Sequence, residues 1–225
     1  MPRPGRKTGR AAILSAGAAI LLLGGAFPLP ARMAPHGLGS SESASALSHA
    51  AAASAIVQWQ KILASHRGAS SSLKPIILTD TEVNSYLKFD GAQMLPRGIY
   101  NAQLHISQQG IFGSAIVDFD ELNRAQGQNG GAGLGLLGMI FSGRQVVSAL
   151  GNLSTWNRQG RINFQNVHIG STQLSEWLVN WLLQAYVESK YKVNLDKPFA
   201  LPGDVTRIIL EPGQAVFERA PHPRR

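Results

Sequence analysis

The chain has 225 residues and a formal net charge of +8, and it contains no cysteine. The lack of cysteine excludes disulfides, thiolate metal ligands and a lipoprotein acyl anchor. The positive charge belongs to the two ends of the chain, because residues 73–218 hold 11 Lys and Arg against 12 Asp and Glu, a net of −1. This central segment lacks the basic surface that neutralises phosphates, so we expect no nucleic-acid partner.

The N-terminal segment has the pattern of an export signal. Four cations precede an uncharged run of 17 residues from Ala11 to Phe27. As a helix this run would be about 26 Å long, close to the roughly 30 Å of a bilayer core. Gly24 and Ala26 form a weak cleavage pattern, so a cleaved signal peptide and a retained transmembrane anchor are both open. In either case we expect the protein to be periplasmic, or membrane-anchored with its bulk outside the cytoplasm.

The next segments are a flexible linker and a helix. Residues 28–43 are rich in Pro, Gly, Ala and Ser. Residues 44–66 are Ala-rich and carry Ile56, Trp59 and Leu63 at helical spacing, which predicts a helix. A Ser-rich stretch ends it, so residues 44–72 are predicted to be this helix and a second linker.

One α+β domain is predicted over residues 73–219, followed by a disordered basic tail at 220–225. It opens with the short apolar piece 73–78. Thr79 and Glu82 then have the spacing of a capping box, which predicts a short helix ending near Phe89. Residues 95–98 form a predicted turn.

Three predicted hairpins supply the strands of this domain. Their paired segments are 99–107 with 111–119, 144–157 with 161–169, and 205–210 with 214–218. Together they predict a curved antiparallel sheet of about six strands.

One long amphipathic helix is predicted between the second and third hairpins. Its apolar residues repeat at a period of 3.6: Leu174, Trp177, Leu178, Trp181, Leu182, Ala185 and Tyr186. We expect the sheet to pack around this helix.

Residues 126–143 combine glycine with an apolar end. Seven of these 18 residues are glycine. The large apolar residues are Leu134, Leu136, Leu137, Met139, Ile140 and Phe141. Two interpretations are open: a short Gly-interrupted helix packed on the core, or a loop that contacts the membrane.

No motif in the chain identifies a catalytic site. The six histidines lack metal-ligand spacing, although His105 and His168 lie on predicted strands and could meet. Asp118, Asp120 and Glu121 form an acidic cluster that could bind Ca²⁺ or share a proton, or could be a solvated strand end. We expect no enzyme activity, no cofactor and no metal.

The chain resembles small membrane-anchored or secreted bacterial proteins that are likened to tubular lipid-binding (TULIP-like) domains. The resemblance rests on LTDTEVNSYL at 78–87, LPRGIYNAQLHIS at 95–107 with the following SAIVDFDEL, and PFALPGDVTRIILEPGQAVF at 198–217. It implies a curved antiparallel sheet around a long helix, with an apolar groove for acyl chains. It implies no catalytic residues.

Two function hypotheses follow. The first is a non-enzymatic envelope protein that binds membrane lipid or a hydrophobic small molecule between sheet and helix. Its ligand-binding residues would be Trp177, Leu178, Trp181, Leu182 and Tyr186, and the apolar end of the Gly-rich segment would contact the membrane. The alternative is a structural or assembly protein that binds an envelope protein through its sheet edges or through helix 44–66, with Trp59 as the residue to test.

Overall fold

The computed structural model describes residues 46–64, 74–95, 97–127, 141–182 and 197–220. They form an α+β fold of antiparallel strands and a few helices. The helices are α1 (His49–Ala64), α2 (Asp80–Phe89), α3 (Phe119–Gly127) and α4 (Glu176–Leu182), with a 3-10 turn at Ala92–Met94. The strands are β1 (Ile76–Thr79), β2 (Ile99–Ser107), β3 (Gly110–Asp118), β4 (Arg144–Trp156), β5 (Gln159–Ile169), β6 (Thr172–Gln173), β7 (Phe199–Ala200), β8 (Val205–Glu211) and β9 (Gln214–Arg219).

The first two predicted hairpins are confirmed, and they form the centre of one antiparallel sheet. β2 pairs with β3, β3 with β4, and β4 with β5. The strand order is β2-β3-β4-β5-β6, and β7 pairs with the other end of β5. This six-stranded sheet is open, so β2 is an edge strand.

The third hairpin does not join that sheet. β8 and β9 pair with each other as predicted, but β9 also pairs with β1, giving a separate three-stranded sheet of order β1-β9-β8. The six strands of the larger sheet are completed instead by the two-residue strands β6 and β7. The expectation of one sheet built from three hairpins was therefore wrong. The apolar piece predicted at 73–78 overlaps a strand, β1, which begins at Ile76 and aligns Ile76 with Phe217.

The capping box at the start of α2 is confirmed. The Thr79 hydroxyl accepts a hydrogen bond from the Glu82 backbone N–H at 3.1 Å, and the Glu82 carboxylate accepts one from the Thr79 N–H at 2.8 Å. These bonds satisfy two backbone donors that the helix start would otherwise leave open. The same carboxylate accepts a hydrogen bond from the Ser54 hydroxyl, so the cap also links α2 to α1.

The larger hydrophobic cluster lies between the two sheets and the first two helices. It contains buried residues of α1, α2, β1, β8 and β9 together with the inner face of β2 and β3. Trp59 and Ile62 of α1 belong to it, and Trp59 is only 5% exposed. The predicted helix 44–66 is thus confirmed over His49–Ala64 and packs into the same core as the strands.

A smaller cluster lies at the other end of the same sheet face. Its buried members are Phe119, Leu122, Ile169, Leu174 and Val179. α4 contributes to this cluster, whereas the described part of the larger cluster is built on α1 and α2. The helix predicted over 174–187 is observed from Glu176 to Leu182. Its continuation lies outside the described residues and stays a prediction.

Other predicted segments also lie outside the described residues. These are the signal or anchor at 1–27, the linker at 28–43, the Ser-rich stretch and the tail beyond Ala220. Among the helices of the described ranges, none is both long and apolar enough to cross a membrane.

Replacing Trp59 by alanine tests whether α1 is part of the core. Because Trp59 is buried between helices and strands, we expect Trp59→Ala to lower the free energy of unfolding by about 3–5 kcal/mol. Val57, on the same helix but 47% exposed, is the matched control. Val57→Ala should change the free energy of unfolding by about 0.5 kcal/mol or less. Urea unfolding followed by far-UV circular dichroism measures the stability of both variants. Equal effects would show that α1 is not packed as described.

Candidate functional site

Of the five predicted ligand-binding residues of the 174–187 helix, the structure describes the side chains of Trp177 and Leu178, and these two differ in burial. Trp177 is 70% exposed, whereas Leu178 is partly buried against the smaller hydrophobic cluster. Val179 is buried in this cluster together with Leu174. The side chains of Trp181 and Leu182, and Tyr186 as a whole, lie outside what the structure describes.

The predicted membrane-contact segment is described only at its end. Phe141 is partly buried, and its ring centroid lies 5.6 Å from that of Phe119. It therefore packs against the smaller cluster of the protein. Leu134, Leu136, Leu137, Met139 and Ile140 lie outside the described residues, so their role stays a prediction.

The acidic cluster caps a helix and anchors a loop. The Asp118 carboxylate accepts a hydrogen bond from the Glu121 backbone N–H at 2.9 Å and another from Arg144 Nε at 3.2 Å. These two bonds lower the pKa of Asp118. Asp120 accepts a bond from the Gly143 N–H at 3.2 Å. Within the described ranges, no three His, Asp or Glu side chains are arranged to hold a metal ion.

The two strand histidines do not meet. His105 lies on β2, where its Nδ1 is 3.0 Å from the Asp80 carboxylate. His168 lies on β5, where its Nδ1 is 2.8 Å from the Asn166 carbonyl oxygen. Two strands lie between β2 and β5, so these two strands are about 14 Å apart at the usual strand spacing.

A cleft of about 630 Å³ runs beside the first half of β2. One wall is formed by Asn84, Leu87 and Lys88 of α2, and the floor by residues 97–103. Leu47 and Glu121 also line it. Its volume lies within the range of ordinary ligand sites, roughly 300–1,000 Å³.

Beyond the cleft, the free edge of β2 is covered by hydrogen bonds. The Asn84 side-chain amide accepts from the Leu104 N–H at 2.8 Å and donates to the Leu104 carbonyl at 2.7 Å. This amide thereby bonds β2 as a residue of a neighbouring strand would. Two residues further on, the Ile106 carbonyl accepts from the Gly213 N–H at 2.8 Å, in the β8–β9 turn.

Inside the cleft the same edge is open. The Gly98 carbonyl accepts from the Asp118 N–H, so Ile99, the next residue, directs its own N–H and carbonyl away from β3. The pairing with β3 is then interrupted between Tyr100 and Gln103, where Asn101 has a φ of 49°. No backbone group in the described part of the chain bonds this edge from Ile99 to Ala102. Bulges of this kind are enriched at sheet edges and beside functional sites.

A polar network stands at one end of the cleft. The Tyr100 hydroxyl donates to the Glu121 carboxylate, and this hydrogen bond raises the pKa of Tyr100. The Arg144 guanidinium lies 5.3 Å from the centroid of the Tyr100 ring. Because Arg144 also bonds Asp118, these contacts fix the position of the Tyr100 side chain.

Sequence patterns located β2 but not its open edge. The alternation of the first hairpin marks the strand, whereas its place at the end of the sheet depends on long-range pairing. Asn84 gives no signal in the sequence, since an asparagine on the polar side of a short helix is ordinary.

The chain was compared with protein families, curated proteins and solved structures. No family model, curated protein or solved structure matches it.

The Asn84 side chain should be required to close the edge at Leu104. Asn84→Ala removes both hydrogen bonds and leaves the Leu104 backbone unpaired, so we expect a loss of about 1–3 kcal/mol in the free energy of unfolding. Asn163→Ala, at an exposed position of β5, should change it by about 0.5 kcal/mol or less. Urea unfolding of the two variants side by side measures the difference. Equal stabilities would contradict the role given to Asn84.

Proposed function

We propose that this chain is a non-catalytic binding protein of the cell envelope, and that the β2 cleft takes up an extended segment of a partner protein. The observation that supports this proposal is the unpaired backbone edge from Ile99 to Ala102 at the floor of a cleft. An extended peptide can add a strand to such an edge, with main-chain hydrogen bonds giving affinity. This develops the assembly hypothesis, in which a sheet edge is the contact surface.

The geometry of the edge limits how much can be added. The open stretch from Ile99 to Ala102 is about 13 Å long at the usual rise of a strand. Within this stretch the bulge interrupts regular pairing, and at its end Asn84 occupies the edge at Leu104. A bulged, partly covered edge discourages unlimited sheet growth between copies. We therefore expect a short segment, with pockets beside it giving specificity.

The cellular location is part of the same proposal. Residues 1–27 have the cation-then-apolar order of an export signal or anchor. An exported domain with an open strand edge would meet partners in the periplasm or at the membrane surface. Trp59 is not a suitable contact in this account because it is buried in the core.

Binding of lipid or a hydrophobic small molecule is a second candidate function, favoured by a different surface. On the outer face of the larger sheet, Phe112 pairs with Leu150, and Ile116 pairs with Val146. Phe112 is 45% exposed and Val146 is 56% exposed. An exposed apolar patch of this kind is typical of a surface that contacts a protein, a ligand or a membrane.

Site-specific photo-crosslinking in the native cell tests the proposed function. A benzophenone amino acid is placed in the full-length protein at Gln93, which lines the cleft, or at Gln109, an exposed control in the β2–β3 turn. We expect irradiation to join one protein to position 93 through one short contiguous peptide, and none to position 109. Mass spectrometry of the adducts identifies them. Equal adducts at both positions, or none at position 93, would contradict the proposal.

The same experiment with the photo-reactive residue at Val146 addresses the second candidate. Lipid adducts at position 146 without a protein adduct at position 93 would favour the hydrophobic-ligand function. A protein adduct at position 93 with no lipid at position 146 would favour strand addition.

A further inference from the structure

Two cations that line the cleft have no ion-pair partner within the described ranges. Lys88 stands in the last turn of α2, and Arg97 directly precedes β2. Both are exposed, and neither belongs to the salt bridges of the described residues. The Lys88 ammonium lies 5.3 Å from the centroid of the Phe89 ring, which is a weak contact at an exposed site. Both charges are therefore available to an occupant of the cleft.

The one carboxylate among the described lining residues is already engaged. Glu121 accepts the hydrogen bond from the Tyr100 hydroxyl at the end of the cleft. Its backbone N–H is held by Asp118, which fixes where the side chain starts. The carboxylate is thus bound to one wall, whereas Lys88 and Arg97 leave an excess of positive charge along the cleft.

The remaining polar lining is suited to a peptide backbone. Gln93, Asn101 and Gln103 are exposed in or beside the cleft, and each carries a neutral amide. A side-chain amide offers both hydrogen-bond donors and an acceptor. Asn84 of α2 uses both when it bonds the N–H and the carbonyl of Leu104 on β2. These residues can bond a main chain without selecting its side chains.

We propose that the β2 cleft selects an extended segment whose side chains are acidic, with carboxylates facing Lys88 and Arg97. This inference rests on the proposed strand addition and adds the chemical class of the partner segment. Complementary charge raises the association rate and discriminates between partners more than it raises affinity. Because both cations are exposed, each should contribute modestly, and added salt should weaken the preference.

Two matched peptides provide the test. One alternates valine with glutamate, and the other carries lysine in place of each glutamate. Each is titrated into the full-length protein in a non-ionic detergent, and amide shifts of residues 99–103 are followed by NMR. The variants are Lys88→Gln, Arg97→Gln and the double variant. Arg161→Gln, at an exposed cation on β5 away from the cleft, is the control.

The glutamate peptide should shift the amides of residues 99–103 and bind at least about tenfold more tightly than the lysine peptide. Each single variant should weaken its binding about two- to fivefold, the double variant should abolish the preference, and Arg161→Gln should leave it unchanged. Equal binding of the two peptides through residues 99–103 would overturn the acidic preference while leaving strand addition intact. Failure of both peptides to shift these amides would overturn both proposals.

An anionic lipid surface would offer the same negative charge to Lys88 and Arg97 without adding a strand to β2. Vesicles of phosphatidylglycerol and of phosphatidylcholine are therefore compared with the peptides. If phosphatidylglycerol vesicles bind through Lys88 and Arg97 and the glutamate peptide does not displace them, the acidic-segment proposal fails. Displacement of the vesicles by the glutamate peptide, but not by the lysine peptide, would support it.

Discussion

The hydrogen-bonding demand of the β2 edge constrains much of this fold. Backbone N–H and carbonyl groups must be paired or solvated, because a buried unpaired group costs about 1–3 kcal/mol. The sheet is open, and no strand of the described residues lies beside the outward groups of β2. α2 supplies the Asn84 amide to Leu104, and the β8–β9 turn supplies the Gly213 N–H to Ile106. The capping box that fixes the start of α2 therefore also fixes the residue that closes the edge.

Each of the two hydrophobic clusters packs against a different end of the larger sheet. At one end α1, α2 and the three-stranded sheet form the larger cluster, and at the other end α3 and α4 contribute to the smaller one. The cleft lies where α2, the turn after it and the start of α3 approach the same strand. A binding surface between rigid elements is preorganised, which reduces the ordering that an incoming segment would require.

Local patterns predicted local structure well and long-range pairing poorly. Alternating residues and turn residues predicted all three hairpins, and the Thr79–Glu82 spacing predicted the start of α2, because these features depend on neighbours in the chain. The pairing of Ile76 with Phe217 joins residues far apart in sequence, and no periodicity encodes it. The apolar stripe of 174–187 indicated a helix but not which side chains are buried: Val179 is buried and Trp177 is exposed. The open edge at Ile99 depends on the strand order. The sequence could therefore predict that a sheet edge is a contact surface, but it could not predict which strand forms that edge.

Amide hydrogen exchange of the unliganded full-length protein, resolved by NMR, tests the central claim most directly. If the edge is open in the cleft and closed beyond it, the Ile99 amide should exchange at least about a hundredfold faster than the Leu104 amide, which is held by Asn84. The Asn84→Ala variant should bring the Leu104 rate close to that of Ile99. Equal strong protection of Ile99 and Leu104 in the unliganded protein would mean that another part of the chain already covers the edge, and it would contradict this account.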